Sequence, residues 1–270
     1  MITLFEQKEK TFRRQSSKGN QLKWENEGIW YKADYTGYEG LSEYMVSHLL
    51  QKSSLSEHEF VLYEPEQIAY GAQIFTGVRS HTFLPSGWQL ITLERLFKSF
   101  CGQSLYEMLF HITDKKERLQ FLVDYTERIT GLTDFGIYMN QLLTIDAVFL
   151  NEDRHTHNIA VLMNVNGDFD YCPFFDHGAG LLADTTLEYP LNQDIYSLIG
   201  RVKAKTFSQN FDEQLDLSEE LYGSHLTFYF HKEEVRELLS ALAPWYPPEI
   251  RDRVQNILYI QMDKYRYLFS

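Results

Sequence analysis

Apolar positions recur along this chain with two different periods, and the change from one to the other divides it. Up to about residue 93 the pattern is strand-like. Ile29-Trp30-Tyr31-Lys32-Ala33-Asp34 is rich in aromatic and β-branched residues and follows the turn-forming Glu25-Asn26-Glu27-Gly28, which predicts a strand leaving a hairpin. Residues 60–63, 68–75 and 87–93 predict further strands, punctuated by Gly71, Gly77, Pro85 and Gly87. Between them, Leu41, Tyr44, Met45, His48 and Leu49 fall at helical spacing and predict a helix over 41–50.

From about Leu96 the helical period takes over. Asp114 is placed to cap a helix over 115–130 and Gly131 to stop it. Asp134 is placed to cap a second, over 135–148, with Phe135, Tyr138, Met139, Leu142 and Leu143 on its apolar positions. This helix delivers the chain into a polar loop. Residues 159–164 and 170–175 then predict two short strands around Asn166-Gly167. Two helices close the chain, over 232–242 and from Pro248 to about 267; a proline suits a first helical turn because its missing N–H would be unpaired there. No internal repeat is evident. The expected architecture is α+β and two-lobed, with a β-rich lobe over 1–93, a mainly helical lobe over 94–270, and a cleft between them.

Composition narrows the partners. Of 270 residues 44% are hydrophobic, enough for a substantial core. Lys and Arg number 25 against 38 Asp and Glu, a net charge of −13, and such a surface repels a nucleic-acid backbone, so direct nucleic-acid binding is not expected. Residues 1–15 show no signal-peptide core, and the most apolar run, 142–150, is too short for a membrane span and carries Asp146. Cys101 and Cys172 form no CxxC pair and read as free thiols in a reducing compartment. The expectation is a cytoplasmic protein with no membrane contact.

The candidate chemistry lies in two loops. Asn151-Glu152-Asp153-Arg154-His155-Thr156-His157-Asn158 is followed, across the expected hairpin, by Phe174-Phe175-Asp176-His177-Gly178. Asp153 and Asn158 are five positions apart, and Asp176 lies eighteen beyond Asn158. Phosphoryl transfer calls for this set: a carboxylate to orient an acceptor hydroxyl, and an amide plus a second carboxylate to hold magnesium against the phosphates. Asp153 is the candidate for the first role, Asn158 and Asp176 for the second. Arg154 is a candidate to pin the loop and His155 to bond the loop or a phosphate.

Asp153-Arg154-His155-x-x-Asn158 resembles the catalytic loop of phosphoinositide kinases and of bacterial HipA-type serine/threonine kinases, and Phe175-Asp176-His177-Gly178 resembles their metal-binding motif. The flanking residues are more similar to the HipA side. The resemblance implies a protein-kinase-like fold, ATP and Mg2+ as cofactors, and transfer of the γ-phosphate to a Ser or Thr hydroxyl of a protein, the chain itself included. It further implies an upstream lysine and glutamate, for which Lys32 and Glu43 are the candidates. No GxGxxG is present; Ser16-Ser17-Lys18-Gly19-Asn20 is the candidate phosphate-covering loop, with Ser16 or Ser17 a candidate phosphorylation site. Adenine is expected at Ile91-Thr92-Leu93-Glu94, with Leu93 supplying backbone groups. The family also suggests a separate antitoxin-like partner, although no helix-turn-helix is identified and the sequence is shorter than the longest HipA-type kinases, which carry an additional N-terminal region.

Three other readings compete. One keeps the fold and changes the acceptor to a phosphoinositide or another small molecule. One takes His155 and His157, with Cys172, Asp176 and His177, as ligands of a metal-dependent hydrolase. The last is a nucleotide-binding pseudokinase without catalysis. Beyond Asp176, Gly178, Ala179 and Gly180 suit a mobile segment, and Arg201, Lys203 and Lys205 form a basic cluster in an acidic chain.

Overall fold

The computed structural model describes residues 1–4 and 21–270. The candidate phosphate loop, Ser16, Ser17, Lys18 and Gly19, lies outside them. The first part is a five-stranded sheet of order β1-β4-β5-β3-β2, built from β1 (Ile2–Leu4), β2 (Lys23–Asn26), β3 (Ile29–Ala33), β4 (Glu64–Tyr70) and β5 (Gln73–His81). β1 joins β4 in parallel and the other pairs are antiparallel. The expected hairpin at residues 25–28 joins β2 to β3, turning on Gly28 at φ 78°. Residues 68–75, expected as one strand, form two: Tyr70 pairs with Gln73, so the chain reverses at Gly71-Ala72, where Gly71 takes the left-handed φ of 60° that side chains disfavour.

Residues 60–63 do not join this sheet. Phe60 bridges to Phe174, and the Val61 N–H donates to the Phe174 carbonyl at 2.9 Å, tying these residues to the stretch that leads into Asp176. Helix α1 (Glu39–Leu50) packs between β5 and a late helix, and nearly every one of its side chains is buried. β6 (Trp88–Thr92), read from sequence with the first lobe, instead pairs with β7 (Ala160–Asn164), which pairs with β8 (Phe169–Tyr171) in a separate three-stranded sheet.

The helical part comprises α2 (Leu93–Cys101), α3 (Leu105–His111), α4 (Lys115–Thr130), α5 (Phe135–Phe149), α6 (Ile195–Ile199), α7 (Phe211–Tyr222), α8 (Lys232–Ala241) and α9 (Pro248–Lys264). Asp114 caps α4 through the Glu117 N–H at 2.9 Å, and Gly131 ends it at φ 73°. Asp134 precedes α5 but does not cap it; the Phe135 N–H is taken by Glu127 of α4 at 2.7 Å. α5 lies against α4, α7 and α9, and its expected apolar positions are all buried. No helix among the described residues is long and apolar enough to cross a membrane.

Candidate active site

β3 ends by burying Lys32, and α1 faces it with Glu43, fully excluded from solvent. The Lys32 ammonium is ion-paired to Glu43 Oε1 and lies 2.9 Å from Asp176 Oδ1 and 3.2 Å from the Tyr63 hydroxyl. Burial opposes its charge, but Asp176 and Glu43 outweigh burial, and its pKa is held well above the usual lysine value. Glu43 uses its second oxygen to accept the His177 N–H at 2.8 Å, while Ser42 donates to the His177 carbonyl at 2.7 Å. Two adjacent residues of α1 therefore grip the backbone just after Asp176. That grip matters because Asp176 sits at φ 63°, a conformation costly for a residue with a Cβ.

The 151–158 loop is held from below. α5 supplies Asp146, which is 1% exposed, to the guanidinium of Arg154, 2% exposed. Arg154 Nε lies 3.0 Å from Asp146 Oδ2, and its Nη1 donates to the carbonyls of Asn158 and Phe175 at 3.0 Å each. One side chain thus ties α5, the end of the loop and the residue before Asp176 together. Asn151 adds a bond to Asp146 at 2.9 Å.

Asn158 donates its amide nitrogen to the Asp153 carbonyl at 2.8 Å and to Asp153 Oδ2 at 3.3 Å. These hydrogen bonds assign the amide nitrogen to the Asp153 side and leave the amide oxygen uninvolved in them. Gln21, Lys23, Asp153, Asn158, Asp176 and Gly178 line one cleft. A carboxylate and an amide oxygen suit magnesium, which keeps several waters and takes few protein ligands. Asp176 is held well below the usual carboxylate range: burial alone would raise it, but Lys23 and Lys32 lower it, with Arg154 adding to them. His155 lies 3.9 Å from Asp153 Oδ1, and its Nδ1 accepts the His157 N–H at 3.2 Å; its pKa is lowered, chiefly by burial.

The other expected residues are placed differently. Leu93 is buried, and its N–H is bonded to the Ile159 carbonyl at 2.8 Å. Glu94 turns toward the 151–158 loop, accepting from the Thr156 hydroxyl and the Tyr106 N–H at 3.1 Å each. The connector from β5 to β6 instead places Phe83 and Leu84 against a small apolar cluster of Ala160, Leu162 and Cys172. Cys172 is buried there, and burial pushes its thiol pKa up, which suits packing rather than a metal thiolate. Among the described residues no group of three His, Cys, Asp or Glu side chains is arranged to hold a metal, which gives the hydrolase reading no ligand set.

Sequence reasoning missed Lys23. It stands directly opposite Lys32 across the β2–β3 pair, and its ammonium lies 3.2 Å from Asp176 Oδ1. Opposed residues on paired strands project to one face, so the hairpin register alone would have revealed it. The segment after Asp176 is also pinned rather than loose: the Tyr38 and Leu181 N–H groups donate to the Ala183 and Phe149 carbonyls, and Arg253 of α9 holds the carbonyls of Tyr189 and Pro190.

A strand lysine paired to a helix glutamate, above a hairpin flanked by Asp153, Asn158 and Asp176, defines a kinase-like fold. Among solved structures, the crystal structure of CtkA, a Helicobacter pylori proinflammatory kinase, is similar to this chain with a TM-score of 0.61, covering 94% of this chain and 92% of that one at 15% sequence identity. No protein-family model matches the sequence. No curated protein matches it by sequence either.

Proposed function

We propose that this chain is an ATP-dependent kinase that transfers a γ-phosphoryl group to a Ser or Thr hydroxyl of a protein, with Mg2+ as cofactor. The observation that carries the reading is that Lys32, paired to Glu43, bonds Asp176, and that Asp176 shares one cleft with Asp153 and Asn158. Lys32, held by Glu43, would bind the α- and β-phosphates. Asn158 and Asp176 would hold magnesium, which when bound neutralises phosphate charge. Asp153 would accept the hydroxyl proton and orient the acceptor oxygen in line. Adenine would enter beside the connector at Phe83 and Leu84, whose apolar neighbours offer a face for stacking. The likeness to CtkA supports the fold on which this reading rests, and the acidic net charge favours a protein acceptor over an anionic lipid surface.

The test is incubation with γ-labelled ATP and magnesium, alone and with cell lysate, comparing wild type with Asp153→Asn. Label on the chain or on a lysate protein, lost in the variant, is the expected result. Label on lipid alone would move the acceptor to a phosphoinositide. ADP binding without transfer in either protein would make the chain a pseudokinase.

A further inference from the structure

We propose that Lys205 is a further catalytic residue, contacting the phosphoryl group as it passes to the acceptor beside Asp153. The assignment rests on the kinase reading above. The phosphoryl group in flight spreads negative charge over its equatorial oxygens, and a cation on the acceptor side stabilises it. Lys32 and the metal ligands act at the other end, on the nucleotide. Arg154, the cation within the catalytic loop itself, is buried and bonded to Asp146 and two backbone carbonyls, so it is committed to holding the loop.

Lys205 comes from elsewhere, the segment between α6 and α7, yet its ammonium lies 3.5 Å from Asp153 Oδ1. Its backbone is mounted on buried polar contacts. Thr206 donates its hydroxyl to the Arg154 carbonyl at 2.7 Å, fastening the segment to the catalytic loop. The N–H groups of Phe207 and Ser208 both donate to Gln214 Oε1 of α7, at 2.9 and 3.1 Å, and Gln214 is 2% exposed. Arg118 of α4 holds the Phe207 carbonyl at 3.2 Å. The Lys205 side chain itself remains 37% exposed. A fixed root with a free tip is what a lysine needs to leave a carboxylate and follow a phosphate. A lysine serving only solubility requires no such mount.

Without nucleotide, Lys205 holds the Asp153 carboxylate. With ATP bound it turns to the γ-phosphoryl oxygens. In the step itself the acceptor proton passes to Asp153 and the acceptor oxygen forms the new P–O bond. The bond from the γ-phosphorus to the β–γ bridging oxygen breaks, and ADP leaves with that electron pair. Lys205 bonds the transferring oxygens throughout.

The experiment measures turnover of γ-labelled ATP with magnesium, the Kd for Mg·ADP and the thermal midpoint, for wild type, Lys205→Met, Lys205→Arg and Lys203→Met. Loss of one transition-state donor lowers kcat by about 100-fold. Lys205→Met should show that loss with Mg·ADP affinity and melting unchanged, since ADP lacks the group contacted. Lys205→Arg should recover part of the rate, and Lys203→Met should match wild type. Wild-type kcat in Lys205→Met overturns the assignment alone, as does equal loss of turnover and ADP affinity. A wild-type chain that neither turns over ATP nor binds ADP overturns the kinase reading and this assignment with it.

Discussion

Lys23 and Lys32 face each other across β2 and β3 and both reach the same oxygen of Asp176, at 3.2 and 2.9 Å. Two ammonium groups therefore neutralise the carboxylate expected to hold magnesium, and phosphates arriving with the metal would draw the lysines toward themselves. Magnesium alone should bind poorly, and Mg·ADP far better, in calorimetric titration. A charge-assisted hydrogen bond is worth about 1.5–3 kcal/mol, so Lys23→Met should weaken Mg·ADP binding by roughly 10- to 100-fold. An unchanged Kd would leave Lys23 as a lysine that pairs with Asp176 and does nothing for nucleotide.

How much of this was legible beforehand depends on what fixes each residue. Asp153, Asn158 and Asp176 flank one short hairpin, β7–β8, which brings its two ends together in space. Lys32 and Glu43 belong to one strand and the helix after it, and it was the family resemblance, not the apolar pattern, that singled them out. Lys23 needed the register of a hairpin, and Lys205 needed the folding of a segment fifty-odd residues from Asp153. β6 could not be assigned to its sheet because alternation with period two is the same whichever partner a strand takes. α7 was missed because its buried face mixes Phe211 and Leu215 with Gln214 and Ser218, leaving no apolar stripe to read. That the Leu93 N–H is bonded to Ile159 could not be read beforehand, because a backbone N–H gives no sign in the sequence of its partner.

The buried pair of Asp146 and Arg154 should be sensitive to loss of one partner. Asp146→Asn keeps the shape but leaves a guanidinium buried without its countercharge, which costs about 3–5 kcal/mol. Urea unfolding should show a loss of that order, and a loss below about 1 kcal/mol would mean that the carbonyls of Asn158 and Phe175 suffice to hold Arg154. Because Arg154 also bonds the Phe175 carbonyl just before Asp176, turnover should fall even where the variant is fully folded.

Asp34 gives the chain a specific dependence on pH. Its carboxyl accepts the Gly40 N–H at 2.5 Å and the Tyr246 hydroxyl at 2.9 Å. Burial, with the nearby Glu39 carboxylate, nevertheless raises its pKa well above the usual carboxylate value, against the lowering effect of those two donors. A raised folded-state pKa means that the folded chain holds this proton more tightly than the unfolded one. The resulting stability is fully present below the unfolded value of about 3.9 and is lost as pH rises through the folded one. Asp34→Asn, which cannot ionise, should remove this contribution. The difference in unfolding free energy between wild type and variant should shift against wild type as pH rises from about 4 toward neutrality. A difference independent of pH across that range would show that Asp34 ionises alike in both states.

Gly37 should be the most demanding position in the link between α1 and the segment after Asp176. A Cβ added there would lie 1.9 Å from the Ala183 carbonyl oxygen and 2.9 Å from the Thr185 nitrogen, both backbone atoms that cannot swing aside. The same approach carries the Tyr38 N–H to Ala183 and the Thr186 N–H to the Thr36 carbonyl, at 3.2 and 3.0 Å. Gly37→Ala must therefore separate the two backbones, breaking these bonds, at a cost of about 1–3 kcal/mol. Since α1 also carries Ser42 and Glu43, which grip His177, the strain falls on the element that fixes Asp176. The variant should remain folded, become open to limited proteolysis within residues 183–189, and lose turnover more than a stability loss of that size explains. Wild-type resistance to protease in Gly37→Ala would show that the contact gives way without releasing the segment. Proteolysis with full turnover would show that its docking is not needed for the reaction.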